Sequence, residues 1–451
     1  MPQSERSSTP VLRRYSRRTA LRMGGGALAA AAGPFIWTPA RAQGFNWKRF
    51  QGKELFVILI KWPWTEMIEK SIPEFESLSG MKVSLETLPQ LQARQKVTIE
   101  MTGGSGGLDV FFTTPNVEKR RFSKAGWFEP LNRYLQDPTL TPMDWDWEDV
   151  AAGAKSMVTQ KDGSITALPI SVEAWGLFYR TDLFAAKGLK PARTYDELAM
   201  HAKQLHTPPG VYGIVYRGLK NSNAATFSNA QFAFGADFLT KDGKAALDTA
   251  ENIAALDWYA GTLRNYGPPG AVNYDFYECS AAFMQGQAAI YTDGMTIASQ
   301  FEDPTKSKVV GRVGYAMMPA GPRGQFSSLL GAALAVSSQS RNKEAAYLFC
   351  QWATSKQNAV RGLLAGAAVS RTSAWNHPEV KAKARMPAAW SQVFVDSMKI
   401  GRPALPDIIG VTEYRDIIGV AIQRAIEGAP SPQVLAQANK EFQEMLNKTE
   451  G

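Results

Sequence analysis

The fold is decided by the stretch Leu168-Pro169-Ile170-Ser171-Val172-Glu173-Ala174-Trp175-Gly176-Leu177-Phe178-Tyr179. Pro169 disfavours a helical conformation at the residue before it, so the stretch begins extended. From Trp175 to Tyr179 both alternating faces are apolar, which is typical of a strand covered on both sides. Glu173 lies where the extended part meets this strand, and a buried carboxylate is costly unless it has a partner or faces water. We therefore predict that the stretch crosses between two lobes and that Glu173 faces the cleft.

The length and charge of the chain limit what it can be. At 451 residues it is too long for one ordinary core, and 45% apolar with 20% charged residues is typical of a soluble globular protein. The formal net charge is +9, but residues 1–43 carry +6 of it through seven arginines and Glu5. The remaining +3 gives no reason to expect binding to nucleic acid or to an anionic membrane surface.

Residues 1–42 are predicted to be a Tat-type signal peptide. Ser16-Arg17-Arg18-Thr19-Ala20-Leu21 is a twin-arginine pattern, and a weakly apolar run extends from Met23 to Trp37. The run is shorter than the roughly 20 residues needed to span a bilayer. Ala40-Arg41-Ala42 is a small-x-small cleavage pattern, so the mature chain would begin at Gln43 in the periplasm. The alternatives are a basic tail and a membrane anchor.

The first part of the mature chain alternates strands with helices. Strands are predicted at 55–60, 82–85 and 109–113, with helices between them, one capped by Thr65 and one over 90–101. Pro73 is expected to kink or restart the first helix. This order predicts right-handed crossovers and a parallel sheet.

The second part of the chain adds elements of both kinds and two glycine-containing returns. Thr194-Tyr195-Asp196-Glu197 predicts a helix start. Further strands are predicted at 211–216 and 313–318, a helix, turn and strand at 281–291, and helices at 416–426 and 433–446. The returns Leu330–Val336 and Leu363–Val369 are predicted to be two more crossings, which makes three in all.

In their order, these motifs resemble the extracellular solute-binding proteins of ABC importers, the sugar-binding group that includes maltose-binding proteins. The resemblance covers 43–451 and is carried by 75–83, 108–111, 125–131, 168–170, 178–184, 194–198, 283–289 and the return at Gly331. It implies an α/β, two-lobed periplasmic-binding-protein fold of type II with three inter-lobe crossings and the ligand in the cleft. The first lobe would comprise 43–168 and 334–366, and the second 169–333 and 367–451.

The function implied by this resemblance is that of a periplasmic substrate-binding receptor, which closes on a carbohydrate or polyol and delivers it to the transmembrane subunits of an ABC permease. The Tat translocase would export the chain, which is expected to be a monomer without cofactor or metal. Two alternatives stay open: a receptor for another polar solute such as a polyamine, and a secreted carbohydrate-active enzyme.

The candidate site follows from the chemistry of a sugar, whose hydroxyls need hydrogen bonds and whose C–H faces suit aromatic planes. Ligands of α/β sheets lie beyond the carboxyl ends of the strands. The predicted ligand-binding residues are Lys61, Trp62 and Trp64 after the first strand, Thr113 and Asn116 after the third, Glu173 and Trp175 in the crossing, and Tyr216, Asp293, Met295 and Tyr414 in the second lobe. The resemblance implies that the loops with Lys61, Trp62 and Trp64, with Asp293 and Met295, and with Tyr414 face the ligand.

Each of these positions has a structural alternative. The tryptophans could pack in a hinge or core, and Asn116 or Asp293 could cap a helix instead. Glu173 could pair with a hinge lysine or arginine. Glu173 and Asp293 could also meet as the two carboxylates of a glycosidase, so the sequence leaves that chemistry open.

Other chemistries have little support. The three histidines lack metal-ligand spacing, and Gly103-Gly104-Ser105-Gly106-Gly107 lacks the Lys-Ser/Thr of a phosphate loop. Cys279 and Cys350 are 71 residues apart, which leaves a disulfide open. The apolar surroundings of Cys350 favour a buried free thiol.

Overall fold

The computed structural model describes residues 44–383 and 387–450, so the predicted signal peptide lies outside the described residues. Its strands are β1 (Glu54–Ile60), β2 (Lys82–Leu88), β3 (Val110–Thr113), β4 (Leu168–Arg180), β5 (Ile290–Gly294), β6 (Val313–Met317), β7 (Ala320–Gly321), β8 (Gly324–Gln325), β9 (Ser327–Val336) and β10 (Gly401–Pro403). The quoted stretch therefore lies within one continuous thirteen-residue strand, β4, which extends to Arg180.

The helices surround these strands. They are α1 (Pro63–Ser79), α2 (Gln90–Gly103), α3 (Pro115–Lys124), α4 (Asn132–Gln136), α5 (Ala152–Val158), α6 (Thr181–Ala186), α7 (Tyr195–Leu205), α8 (Asn223–Phe234), α9 (Ala250–Tyr266), α10 (Phe276–Met284), α11 (Ala298–Phe301), α12 (Lys343–Ala353), α13 (Lys356–Leu364), α14 (Thr372–Trp375), α15 (Pro378–Lys383), α16 (Ala388–Lys399), α17 (Val411–Ile426) and α18 (Ser431–Thr449).

The sheet confirms the parallel arrangement predicted for the first three strands. Strand β1 pairs in parallel with β2 and with β3, and the strand order is β2-β1-β3-β9-β4-β5. Strand β9 then runs antiparallel to both β3 and β4. The carboxyl half of β4 pairs antiparallel with β5 and β6 in a second sheet.

Strand β4 runs from one hydrophobic core to another. Leu168 and Ile170 belong to a core that includes Phe75 and the interior faces of β1 and β3. Trp175 and Leu177 belong to a core built mainly by helices α7, α8, α9, α17 and α18. We refer to these two parts as the first lobe and the second lobe. The fold is thus α/β and two-lobed, as predicted.

A third segment between the lobes, residues 363–371, passes along the amino end of β4. The Ser370 backbone N–H donates to the Ile170 carbonyl (2.9 Å), and its hydroxyl donates to the Pro169 carbonyl (2.9 Å). Ala367 packs in the first-lobe core, while Ala368 packs in a core that includes Phe178 and Tyr291. The predicted crossing near 363–369 therefore lies beside β4.

The predicted Thr65 cap of helix α1 is wrong, and the helix does not restart at Pro73. The helix begins at Pro63, which suits the first turn because the N–H that proline lacks would have no partner there, so Thr65 lies inside the helix and does not cap it. The helix also continues through Pro73, because Ile68 and Phe75 on either side of it are fully buried in the core. Tertiary packing overrides the local preference of proline at this position.

The predicted strand at 211–216 is also wrong. Tyr212 and Val215 make only single parallel bridges, to Ala288 and Tyr291 respectively. Gly213 between them lies against the backbone of Ala202 in α7, where no side chain would fit. This close approach interrupts the ladder.

Other local predictions hold. The Thr194 hydroxyl accepts a hydrogen bond from the Glu197 backbone N–H (3.1 Å) at the start of α7. Cys279 and Cys350 are both free and buried, which confirms the free thiol favoured for Cys350. None of the described helices combines the length and apolar character needed to cross a membrane.

A buried ion pair anchors the third segment to the first lobe. The Arg371 guanidinium is 1% exposed; it bonds the Thr354 carbonyl (2.6 Å), pairs with the Asp149 carboxylate (3.3 Å) and lies over the Trp145 ring. Breaking such an ion pair lowers the stability of the fold, because removing one partner leaves the other charge buried and unpaired.

Replacing Arg371 by alanine is expected to lower the free energy of unfolding by about 3 kcal/mol, since Asp149 loses its buried cation. Chemical denaturation measures this change. The matched control is Arg133→Ala, whose side chain is 69% exposed in its pair with Glu129 and which should cost no more than about 1 kcal/mol. Equal losses in the two variants would contradict a stabilising role for the buried pair.

Candidate functional site

A cleft of about 420 Å³ opens between residues of the two lobes. Both walls begin where a strand ends: Lys61 and Trp62 follow β1, while Thr296 and Ile297 follow β5. The remaining lining residues are Pro63, Glu66, Phe276, Tyr277, Ser299, Gln300, Asp303, Lys306, Leu363, Leu364, Ala365 and Gly366. The segment 363–366 closes one side of the cleft where it leads into the third segment.

The two tryptophans of the β1–α1 junction have different environments. Trp62 is partly exposed, lines the cleft and packs edge-on against Phe112, with ring centroids 6.1 Å apart. Trp64 is 2% exposed and belongs to the first-lobe core. The Lys61 side chain is exposed at the same junction. Of the three predicted positions, Lys61 and Trp62 thus reach the cleft and Trp64 supports them from behind.

Glu173 lies next to Thr296, a residue of the cleft wall that the second lobe provides. The hydroxyl of Thr296, which lines the cleft, donates to the Glu173 carboxyl. Burial raises the pKa of Glu173, and the negative charge of Asp293 raises it further, whereas the Thr296 hydrogen bond and Arg217 act in the opposite direction. Gly294 leaves the space that the Glu173 side chain occupies. Glu173 is therefore held behind Thr296 of the cleft wall, with a pKa above its ordinary value.

Arg217 and Asp293 form a compensated buried pair beside Glu173. The Arg217 guanidinium donates to both Asp293 oxygens, at 2.8 and 2.5 Å, and Asp293 has no solvent exposure. Arg217 also lies over the rings of Trp175 (5.7 Å) and Phe276 (5.3 Å). Asp293 accepts from the Gly294 backbone N–H as well (2.7 Å). The arginine is thus held between two aromatic planes, one of which, Phe276, lines the cleft.

Thr113 and Asn116 belong to a network at the start of α3. Buried Glu118 accepts hydrogen bonds from the Thr113 hydroxyl, the Thr114 backbone N–H and the Arg94 guanidinium. The Asn116 amide reaches β9: its oxygen accepts from the Gly331 N–H (2.8 Å), and its nitrogen donates to the Leu329 carbonyl (3.4 Å). Asn116 thus lies inside α3 and ties that helix to a crossing strand; it is not the N-cap.

Four other predicted residues are buried. Trp175 has no solvent exposure, Met295 packs over Gly176, Tyr216 donates to the Tyr259 carbonyl (2.7 Å), and Tyr414 packs against Phe238 and Phe442. None of these side chains lines the cleft.

Sequence reasoning missed several residues at or near the cleft. Phe276 and Tyr277 begin α10 after an Asp275–Glu278 capping box, and Tyr277 is 72% exposed. Two consecutive aromatic residues directly after the capping residue Asp275 are the sequence signal that could have identified them.

Arg415 is a second omission. It donates to the Asn221 carbonyl (3.1 and 2.8 Å), and burial together with the charges of Arg94 and Arg217 lowers its pKa to about 10. Because Arg94 belongs to the first lobe and Arg217 to the second, Arg415 lies between the lobes. Tyr414 and Arg415 are consecutive residues of α17, so their side chains point in different directions around the helix. Tyr414 therefore packs inward while Arg415 faces the region between the lobes.

The cleft combines apolar and polar groups. Its lining offers aromatic faces, hydroxyls, an amide and charges of both signs. Among residues 44–383 and 387–450, no three His, Cys, Asp or Glu side chains are grouped so that they could hold a metal ion.

Comparison with known proteins identifies the fold and the family. A family model of bacterial extracellular solute-binding proteins matches residues 62–360. A mannitol-binding protein of Pseudomonas aeruginosa is 32% identical over 287 residues, which cover 62% of this chain and 64% of that protein.

Two crystal structures of ABC transporter solute-binding proteins superpose over 88% of this chain and 99% of theirs. The protein of Agrobacterium radiobacter K84, in complex with ribitol, has a TM-score of 0.79 and 27% identity. The protein of Agrobacterium vitis S4, with bound D-mannitol, has a TM-score of 0.75 and 26% identity. With its two lobes and its cleft, the chain therefore belongs to the family of bacterial extracellular solute-binding proteins.

Proposed function

We propose that this protein is the binding receptor of an ABC importer and that its ligand is a small polyol or a carbohydrate. The cleft carries the argument: about 420 Å³ between the lobes, with Trp62, Phe276 and Tyr277 beside the hydroxyl of Thr296 and the amide of Gln300. Aromatic faces suit the C–H groups of a polyol, and the polar groups suit its hydroxyls. The similarity to the mannitol-binding protein and to the ribitol and mannitol complexes supports the same ligand class.

The charges at the cleft favour a neutral ligand. Lys61 and Lys306 are accompanied by Glu66 and Asp303 in the lining, and Arg217 is neutralised by Asp293. A polyamine would require an excess of carboxylates. The proposed mechanism is closure of the lobes around the ligand, which stabilises the closed state by contacts made to both walls at once.

The glycosidase alternative has little support. It needs two carboxyl groups that both face the sugar. The Asp293 carboxylate is fully buried and its oxygens are taken up by Arg217 and the Gly294 N–H, while the Glu173 carboxyl is bonded by Thr296. We propose that neither residue is catalytic.

Export and partners complete the proposal. The twin-arginine pattern and the Ala40-Arg41-Ala42 site fit export by the Tat translocase, with cleavage near Ala42 and release into the periplasm. There a monomeric receptor would present its liganded form to the transmembrane subunits of the permease.

The ligand class can be tested by thermal unfolding of the purified protein with D-mannitol, ribitol, maltose, amino acids and spermidine. A ligand present at about 100 times its Kd should add about 2.7 kcal/mol to the free energy of unfolding. We expect a raised Tm with a polyol or sugar. A shift with spermidine alone would overturn the ligand class, and hydrolysis products from oligosaccharides would indicate an enzyme.

Trp62→Ala is expected to weaken binding of the best polyol or sugar from that screen roughly tenfold, because an aromatic wall of the cleft is lost. Isothermal titration calorimetry measures the affinity. The matched control is Trp47→Ala, which removes a partly exposed tryptophan of the same lobe outside the cleft lining. If both variants bind as the wild type does, Trp62 is not part of the site.

Glu173→Gln tests the buried carboxyl without ligand. Because the pKa of Glu173 is raised in the folded protein, the folded state holds this proton more tightly than the unfolded state. The wild type should lose stability relative to Glu173→Gln as pH rises above the ordinary value of 4.5, by up to about 1.4 kcal/mol per pH unit. Denaturation at several pH values measures the difference.

The control for this experiment is Glu76→Gln, which should change in the opposite direction. The hydrogen bond from Lys82 and the Val83 backbone N–H lower the pKa of Glu76, so that variant should lose stability relative to the wild type as pH rises. A pH-independent difference for Glu173→Gln would show that its carboxyl is not held in a desolvated site.

A further inference from the structure

The two lobes are joined by a set of polar contacts outside the cleft and the crossing strands. The C-terminal half of α3, in the first lobe, faces the end of α18 and the loop 404–410, in the second. Arg120 pairs with Glu450 at 2.9 Å, and Lys119 approaches Asp407 at 3.8 Å. The Lys124 ammonium donates to the Thr449 carbonyl (3.3 Å).

The two helices joined in this way are anchored mainly in different cores, while the N-terminal end of α3 also contributes Val117 to the second-lobe core. Phe122 of α3 packs with Phe111 and Phe128 in the first lobe. Leu446 near the end of α18 packs in the second-lobe core, which the N-terminal Val117 of α3 also touches. The polar contacts are therefore made between lobes, and a relative rotation of the lobes must change them.

The geometry favours cations at this junction. Lys124 is the last residue of α3 and Thr449 the last of α18, so the C-terminal ends of two helices meet here. Both ends carry partial negative charge, which cations between them offset. The two acidic residues of the junction, Asp407 and Glu450, are also held in place. The Glu450 carboxylate accepts a hydrogen bond from the Ile409 backbone N–H (2.5 Å) and so ties the end of α18 to the loop that contains Asp407.

Helix α3 also contacts β3 and the crossing strand β9. At its start, Glu118 binds Thr113 and Asn116 binds the β9 backbone at Gly331. One ten-residue helix thus contacts the loop after β3, a crossing strand and the opposite lobe.

We propose that Lys119, Arg120 and Lys124 form an electrostatic clasp with Asp407, Glu450 and the Thr449 carbonyl, and that this clasp stabilises the lobe arrangement seen here. The clasp acts on the equilibrium between lobe arrangements and needs no ligand. Because its ion pairs are partly exposed, with Arg120 and Glu450 26% and 25% exposed, salt screens them. The lobe arrangement should therefore depend on ionic strength.

The experiment measures the distance between spin labels on the two lobes in the full, ligand-free chain. Labels are attached at Ile99→Cys in α2 and Met200→Cys in α7, which are 69% and 53% exposed. Cys279 and Cys350 are fully buried and leave the labelling selective. The variants are Arg120→Glu, the charge swap Arg120→Glu with Glu450→Arg, and the control Arg121→Glu, an exposed neighbour on α3.

Arg120→Glu should reduce the population at the wild-type distance at least about twofold, in line with the strength of one partly exposed ion pair. The charge swap should restore it, and 1 M NaCl should reproduce the effect of Arg120→Glu in the wild type. Arg121→Glu should leave the distance unchanged. The clasp is refuted by identical distances in Arg120→Glu and the wild type, by equal effects of Arg120→Glu and Arg121→Glu, or by a swap that does not restore the distance. Since no ligand is present, these outcomes are independent of the proposed function.

Discussion

The antiparallel pairing of β4 with β9 is the constraint on which the rest of the structure depends. Both strands pass between the lobes, and their ladder runs from Leu168 opposite Leu334 to Ala174 opposite Leu329. Its one irregularity lies between Pro169 and Ser171, where proline offers no N–H and the register shifts. The third segment bonds to this irregular part of β4 through Ser370. The connections between the lobes are thus fastened to one another, and a large separation of the lobes would break a shared set of hydrogen bonds.

This constraint explains where the charged side chains lie. Positions next to the crossing are shielded from water, so each buried charge there needs a partner. Asp293 has Arg217, Glu118 has Arg94, and Asp149 has Arg371. Glu173 has a neutral partner in Thr296, and burial raises its pKa. The crossing region therefore contains one carboxyl group with a raised pKa and a hydroxyl partner beside three carboxylates that are each paired with an arginine.

Much of the fold could be predicted because local patterns and tertiary packing agree. The apolar runs of β1 and β3, the two-sided apolar pattern of β4 and the Thr194 cap each indicate one structure, and the structure contains it. Predictions failed where packing opposes propensity. Pro73 stays within α1 because the residues on both sides are anchored in the core, and Gly213 breaks a strand because a neighbouring helix backbone comes close. A sequence read alone contains no information about either neighbour.

The candidate site was harder to predict because its residues come from loops whose partners are distant in sequence. The pattern after β1 identified Lys61 and Trp62, but it could not tell that Trp64 turns into the core, since that depends on the arrangement of α1 and α13. Likewise a helix was predicted at 416–426, whereas α17 begins at Val411 and includes Tyr414. Which face of α17 meets the first lobe depends on its packing against α9 and α18. Arg415 is brought between the lobes by that packing and held by the Asn221 carbonyl, at a residue with a positive φ of 71°. Asparagine tolerates this conformation better than most residues. The hydrogen bonds from the Arg415 guanidinium stabilise the strained backbone at Asn221, and the Asn221 carbonyl in turn satisfies the guanidinium. A site of this kind is a property of the assembled lobes, and the sequence alone indicates only the side chains available to build it.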